Sequence, residues 1–123
     1  MEAVKNFYDL KVWEDAHSLT LQIYKFASMF PQHEQFGLAS QIRRSSSSIG
    51  ANIAEGFGRS QPKDKARFYS QAKASASETQ NHLLLARDLG YIDKQRCNNL
   101  IEICVLVEKE LSGLISSMRN VYS

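Results

Sequence analysis

The sequence predicts an all-α protein: one domain over residues 1–123, folded as an antiparallel up-down-up-down four-helix bundle. Three observations predict it. Apolar residues recur at helical spacing in four segments. Chain breakers collect at only three places: Pro31 with the following loop, the group Gly56, Gly58 and Pro62, and Gly90. No segment alternates apolar and polar residues with the β-branched enrichment of a strand. The breakers place helices at roughly 10–30, 36–58, 62–89 and 93–121. Connections of a few residues favour antiparallel neighbours. At 43% apolar residues, the 123-residue chain can bury a core without disulfide or metal staples.

In the first helix Trp13, Ala16, Thr20, Ile23, Ala27 and Phe30 step by 3, 4, 3, 4, 3, with Val12, Leu19 and Phe26 flanking that seam. In the second, Leu38, Ile42, Ile49, Ile53 and Phe57 form the stripe expected to face the core. The third carries Phe68, Ala72, Ser75, Thr79, Leu83 and Ala86, and its small residues from Ala72 to Ser77 permit close helix approach. Ser60 is available as its N-cap, two residues before Pro62. Gly90 is placed to end it, and Asp93 to cap the fourth. That last helix is the most regular: Cys97, Leu100, Cys104, Val107, Leu111, Leu114, Met118 and Val121 make an unbroken heptad seam, widened by Ile101 and Ile115.

The second helix differs on its other faces. Gln41, Arg44, Ser48, Asn52, Glu55 and Arg59 fall within roughly 80° of one another at about 100° per residue. The remaining arc is small (Ser40, Ser47, Gly50, Ala51, Ala54), interrupted by Arg43. On one reading the polar seam is simply the wet face, with Glu55–Arg59 an ordinary i,i+4 pair worth a few tenths of a kcal/mol. On the other, which the small residues favour, the helix packs against a second body, and another copy of the chain is the common case. Gly50 costs up to ~1 kcal/mol relative to alanine, which points to close packing or a bend.

Several function classes find no support. The start, Met1-Glu2-Ala3-Val4-Lys5, lacks the basic and apolar regions of a signal peptide, and no apolar run approaches a membrane span. A cytoplasmic location is expected. Cys97 and Cys104 lie two helical turns apart, about 10 Å, too far for a disulfide, and read as buried thiols in a reducing compartment. A di-iron bundle needs two Glu-x-x-His pairs, whereas Glu78 and His82 are spaced i,i+4. No HExxH, CxxC or paired-carboxylate arrangement appears, so no metal or cofactor is expected. Ser45–Ser48 lacks a nucleophile elbow and a His partner. His82 reads as a satisfied interfacial histidine rather than a ligand. The chain is therefore expected not to be an enzyme, and to have no small-molecule substrate.

The net charge of +2 is uneven: residues 41–73 carry seven Lys and Arg against only Glu55 and Asp64. Arg59, Lys63, Lys65, Arg67 and Lys73 straddle the turn between helices 2 and 3, where helix N-terminal amides can add to an anion site. Phe57, Phe68 and Tyr69 are near enough to supply stacking surface, although Phe68 on the heptad seam is expected in the core.

Longer strings carry a family resemblance. They are Asp9-Leu10-Lys11-Val12-Trp13, Phe30-Pro31 with Phe36-Gly37-Leu38, Gln41-Ile42-Arg43-Arg44 with Ser48-Ile49, Asn52-Ile53-Ala54-Glu55-Gly56-Phe57-Gly58-Arg59, and Leu89-Gly90-Tyr91-Ile92. Nearly end to end, the chain resembles the four-helix-bundle family encoded in bacterial 23S rRNA intervening sequences. It departs at Gly50, where that family usually has proline, and at Ala74, where it often has glycine. The resemblance implies a bundle assembled into a ring, a pentamer, and relatedness to the accessory proteins of diversity-generating retroelements, which bind nucleic acid. The expected function is an oligomeric interaction module associated with RNA or nucleoprotein through the basic patch. The alternative is a homo-oligomeric protein scaffold without nucleic-acid binding.

Overall fold

The computed structural model describes residues 4–122, without the side chains of residues 121 and 122, so Val121 of the last seam lies outside the described side chains. Four helices, α1 (Lys11–Ala27), α2 (Leu38–Gly58), α3 (Pro62–Asp88) and α4 (Lys94–Tyr122), follow one another, with short 3-10 turns at Phe7–Asp9 and Gln32–Glu34. Paired contacts give the topology. Trp13 meets Gly50 and Thr20 meets Ser46 across α1–α2. Ser45 meets Thr79 and Ser48 meets Ser75 across α2–α3. Gln80 bonds Glu108 and Leu83 meets Cys97 across α3–α4, while Lys11 reaches Glu110 and Phe26 meets Arg96 across α1–α4. Higher numbers pair with lower ones at every interface, so each neighbour is antiparallel and the bundle is up-down-up-down.

The helix ends follow from local chemistry. α1 stops at Ala27, short of the expected residue 30. Met29 and Phe30 bond three residues back in a tightened turn, and Pro31 disfavours helix in the residue before it. α3 begins at Pro62, which makes Gln61 the N-cap; Ser60 sits one residue too early and makes no cap bond. At its far end Gly90 adopts φ +82°, its N–H bonds the Arg87 carbonyl, and Tyr91 N–H bonds Ala86 O at 2.8 Å. This is the left-handed glycine stop. Asp93 then accepts the Arg96 N–H at 2.8 Å and opens α4.

The core runs the length of the bundle, from Val12, Leu19 and Ile23 through Ile42, Ile49, Ile53 and Leu83 to Cys97, Leu100, Cys104, Val107 and Leu111. In α1 the buried stripe is Val12, Ala16, Leu19, Ile23, so the flank of the expected seam faces the axis. Trp13 and Thr20 turn toward α2, Thr20 to a carbonyl acceptor and Trp13 to the space left by Gly50. Thr20 Oγ1 lies 3.0 Å from the Ala16 and Ser46 carbonyls, and the Trp13 indole nitrogen abuts the face of Gly50. A Cβ on Gly50 would stand 3.3 Å from that nitrogen, so Gly50 serves close packing.

α2 and α3 pack through small residues: Ala72 and Ala76 of α3 are fully buried, and Gly56 of α2 faces the Tyr69 ring. A buried polar layer crosses the same interface: Thr79 Oγ1 lies 2.9 Å from Ser45 Oγ and 2.8 Å from the Ser75 carbonyl. α2 is capped from outside itself. Glu34 Oε1 accepts the Leu38 N–H at 3.2 Å, and the Tyr91 hydroxyl donates to Glu34 Oε2 at 3.0 Å, tying the start of α2 to the α3–α4 turn.

Two outcomes test this packing. A Cβ at Gly56 would fall 2.7 Å from Tyr69 Cε1, so Gly56→Ala is expected to cost about 1–3 kcal/mol in urea unfolding. Gly113→Ala, where a Cβ meets nothing within 4 Å, should instead gain up to ~1 kcal/mol. The second concerns pH. The Leu38 N–H, then the Tyr91 hydroxyl, hold the Glu34 carboxyl below its usual 4.5. A lowered acid contributes stability above its unfolded pKa and loses it as pH falls through the folded one. Glu34→Gln should therefore lower Tm at pH 7, and the gap to wild type should close as the pH drops below 4.5.

Candidate interaction surface on helices α2 and α3

The polar seam of α2 divides. Ser48 Oγ lies 2.6 Å from Ser75 Oγ of α3, and Asn52 donates back along α2 to the Ser48 carbonyl at 2.9 Å, so both residues have partners within the subunit. Gln41, Arg44, Glu55 and Arg59 remain exposed. Gln41 and Arg44 meet Glu78 and His82 of α3 in one shallow depression. His82 is 8% exposed, and its Nδ1 is buried without a hydrogen-bond partner among the described residues. The sequence reading of a satisfied histidine is thus corrected, since a buried ring nitrogen left unpaired costs roughly 1–3 kcal/mol.

On either side of this depression the surface changes character. Toward the C-terminal end of α2, Ala51, Ala54 and Gly58 line a groove with Glu55 and Arg59, almost without bulk. Toward the N-terminal end, Leu85 and Leu89 of α3 are exposed, and Phe36 is 96% exposed. Exposed apolar side chains also occur on the outside of α1, at Leu21 and Tyr24, and in the turn after it, at Met29. Exposure alone therefore does not single out a face. The small-residue groove does, and it adjoins His82 Nδ1, which with Glu110 Oε1 on the α1–α4 seam is a buried polar atom without a hydrogen-bond partner among the described residues.

The five basic residues expected to act together are dispersed. Arg59 and Arg67 converge on Phe68, their guanidinium carbons 4.6 and 4.5 Å from its ring centroid. Each is also paired, Arg59 with Glu55 at 3.2 Å and Arg67 with Asp64 at 3.6 Å. Lys65 points inward and donates to the carbonyls of Phe57 at 2.7 Å and Gly56 at 3.3 Å, closing the C-terminal end of α2. Its partial burial lowers its pKa. Lys63 is exposed, and Lys73 belongs to a different groove, between α3 and α4. The aromatic roles exchange as well. Tyr69 is buried at 3% exposure, its pKa raised by that burial, while Phe68 is the half-exposed ring under the two arginines. The reason is the phase of α3, whose buried line runs Ala66, Tyr69, Ala72, Ala76, Thr79, Leu83, Ala86.

No cluster of three or more His, Cys, Asp or Glu side chains able to hold a metal ion occurs among the described residues. Both thiols are buried; burial raises Cys97 and pushes Cys104 up to about 12, so neither supplies a thiolate near neutral pH. One carboxylate pair that linear spacing did not reveal does form. Asp15 and Glu110 approach from α1 and α4 with Lys11 Nζ at 2.7 and 3.5 Å, an ion-pair clasp on the α1–α4 seam. Burial and the neighbouring Asp15 carboxyl raise the Glu110 pKa. No helix among the described residues is long and apolar enough to cross a membrane.

Residues 8–113 match the family model described as 23S rRNA-intervening sequence protein. The chain is similar to a crystal structure from Bacteroides thetaiotaomicron, a protein of unknown function from the S23 ribosomal protein family. That likeness has a TM-score of 0.76 and 27% identity, and covers 85% of this chain and 97% of that one. No curated protein matches. The family match spans the first three helices and most of the fourth, and the chain therefore belongs to the 23S rRNA-intervening sequence protein family.

Proposed function

We propose that the protein is a non-enzymatic assembly module whose copies join through the α2–α3 face into a closed ring that associates with RNA or nucleoprotein. The observation that carries the reading is the depression holding His82. A nine-tenths-buried imidazole with an unpaired Nδ1 lies beside exposed Gln41 and Arg44, bounded by a groove without bulk and by exposed Leu85, Leu89 and Phe36. A second polypeptide seated there would bury the apolar end and enclose the small-residue groove.

A ring larger than a dimer uses two different patches, each copy presenting one to the next. The outer side of α1, with Leu21 and Tyr24, and Met29 in the turn that follows supply the second. Five is the copy number that the family resemblance implies. Association with RNA is supported by the family's name and by the basic balance of residues 41–73, which a ring would repeat around one rim. A specific observation favours the second reading, a protein scaffold without nucleic acid: Arg59 and Arg67 already face carboxylates, and Lys65 is bound to carbonyls.

Sedimentation of the full chain tests the assembly. Wild type is expected at a multiple of 13.9 kDa. Leu85→Glu and Leu21→Glu should each weaken assembly at least about thirtyfold, the equivalent of ~2 kcal/mol for a charge placed in an interface core. Mixing the two variants should recover heterodimers, because each keeps the patch the other has lost. Wild type sedimenting as a 13.9 kDa monomer at high micromolar concentration would end the proposal.

A further inference from the structure

The α1–α4 seam is tied toward its two ends by different chemistry. At one end Arg96 of α4 lies over the Phe26 ring of α1, 5.4 Å from its centroid, and a guanidinium stays charged at every accessible pH. At the other, Lys11 Nζ lies 2.7 Å from Asp15 Oδ2 and 3.5 Å from Glu110 Oε2. One cation there answers two carboxyls, one from each helix. The Glu110 side chain is only 19% exposed, and its Oε1 is buried without a hydrogen-bond partner among the described residues.

The start of α1 depends on this clasp. Leu10 is its N-cap and makes no side-chain cap bond, so the first turn lacks that support. A groove of about 450 Å³ lies beside the clasp, lined by Leu10, Val12, Gly113 and Leu114 around Lys11 and Glu110. A Cβ on Gly113 would meet nothing within 4 Å, so α4 presses little bulk on α1 at this point.

Two ionised carboxylates against one ammonium leave a net negative charge and a buried oxygen without a donor, which is costly in a low-dielectric site. One retained proton removes the excess charge and supplies a donor, as a carboxylic acid–carboxylate hydrogen bond. Asp15 and Glu110 are within reach of such a bond. Burial first, then Asp15, raises the Glu110 pKa above its usual 4.5, with Lys11 opposing them. Asp15, despite burial that would raise it, is held below 3.8 by its bonds to Lys11 and Glu110. Of the charged groups on α1, Lys11 and Asp15 act on Glu110. The α4 residues a turn away, Leu106, Val107, Gly113 and Leu114, carry no charge, and Glu108 is bonded to Gln80 of α3.

We propose that Lys11, Asp15 and Glu110 form a proton-operated latch, which closes the first turns of α1 on α4 while the two carboxyls share a proton and releases them when it is lost. A raised acid contributes stability that is complete below its unfolded pKa and is lost as pH rises through the folded one. A lowered acid loses its contribution as pH falls through its folded pKa. The latch is thus shut in mild acid and loosens as pH rises above 4.5 through the folded pKa of Glu110, while Asp15 sets a lower limit beneath 3.8. The Arg96–Phe26 end does not titrate, so release acts at the N-terminal end of α1. The latch stands apart from the assembly reading, which uses other residues of α1.

Hydrogen–deuterium exchange of the full chain, normalised for the intrinsic effect of pH, tests it. In wild type the protection of residues 11–19 should fall at least about threefold between roughly pH 5 and pH 8, while that of α3 is unchanged. Glu110→Gln cannot ionise and should keep its low-pH protection throughout. Lys11→Met removes the cation that opposes the raised pKa and should move the transition to higher pH. His17→Gln, which removes the imidazole stacked on Trp13 in the same stretch, should leave the profile as in wild type. A wild-type profile independent of pH, one that persists in Glu110→Gln, or one that vanishes in His17→Gln would overturn the latch. Should Glu110→Gln lose helicity by circular dichroism, the carboxyl-carbon shift of Glu110 in wild type decides. A midpoint above 4.5 supports the latch, and one at or below 4.5 overturns it.

Discussion

The packing of α2 on α3 governs the rest of the molecule. Gly56 admits the Tyr69 ring, and Ala72 and Ala76 let the two backbones close. The Ser45–Thr79 and Ser48–Ser75 contacts then fix one register. A purely apolar interface tolerates sliding by a turn with repacking. One crossed by hydroxyls favours the register in which they meet, because Ser45, Ser48 and Thr79 then each gain a cross-helix partner in addition to the carbonyl of their own helix. Once this register is set, the depression holding His82 and the stack on Phe68 follow from positions on the two helices. The α2–α3 pair is the frame, and α1 and α4 close it with longer apolar side chains.

The fold class, helix count, order and antiparallel topology were legible because α4, α1 and the breakers state them redundantly. The phase of two helices was not. In α1 the apolar stripe is wide enough that Trp13 and Thr20 fit a heptad as well as Val12 and Leu19; partner atoms on α2 decide between them. In α3 small residues fill so many positions that hydrophobicity hardly distinguishes one face from another, and the phase is set by which residue fits against Gly56. That residue is Tyr69, so Phe68 turns outward.

The candidate sites were legible only where one segment contains them. The α2 seam lies on a single helix, and its outline was visible, though not that Ser48 would pair with Ser75 of α3 and Asn52 with the Ser48 carbonyl. The basic cluster was counted along the chain, and a count records no pairing. It cannot register that Asp64 and Glu55 answer Arg67 and Arg59, or that Lys65 turns back to the carbonyls ending α2. Arg119 lies forty-six residues beyond Lys73, outside any window in which the two would be read together, yet the antiparallel α3–α4 pair puts them in one groove. The same holds for Asp15 and Glu110.

These placements divide the molecule by what each face can do. Both thiols are buried and protonated near neutral pH, and among the described residues no three His, Cys, Asp or Glu side chains cluster so as to hold a metal ion. What the chain offers instead is three surfaces of different character around one frame. They are a face of small and apolar residues on α2–α3, an apolar outer side on α1, and a hydroxyl-and-cation groove on α3–α4. The first two suit contacts that exclude water, where desolvated small residues and leucines gain and charges lose.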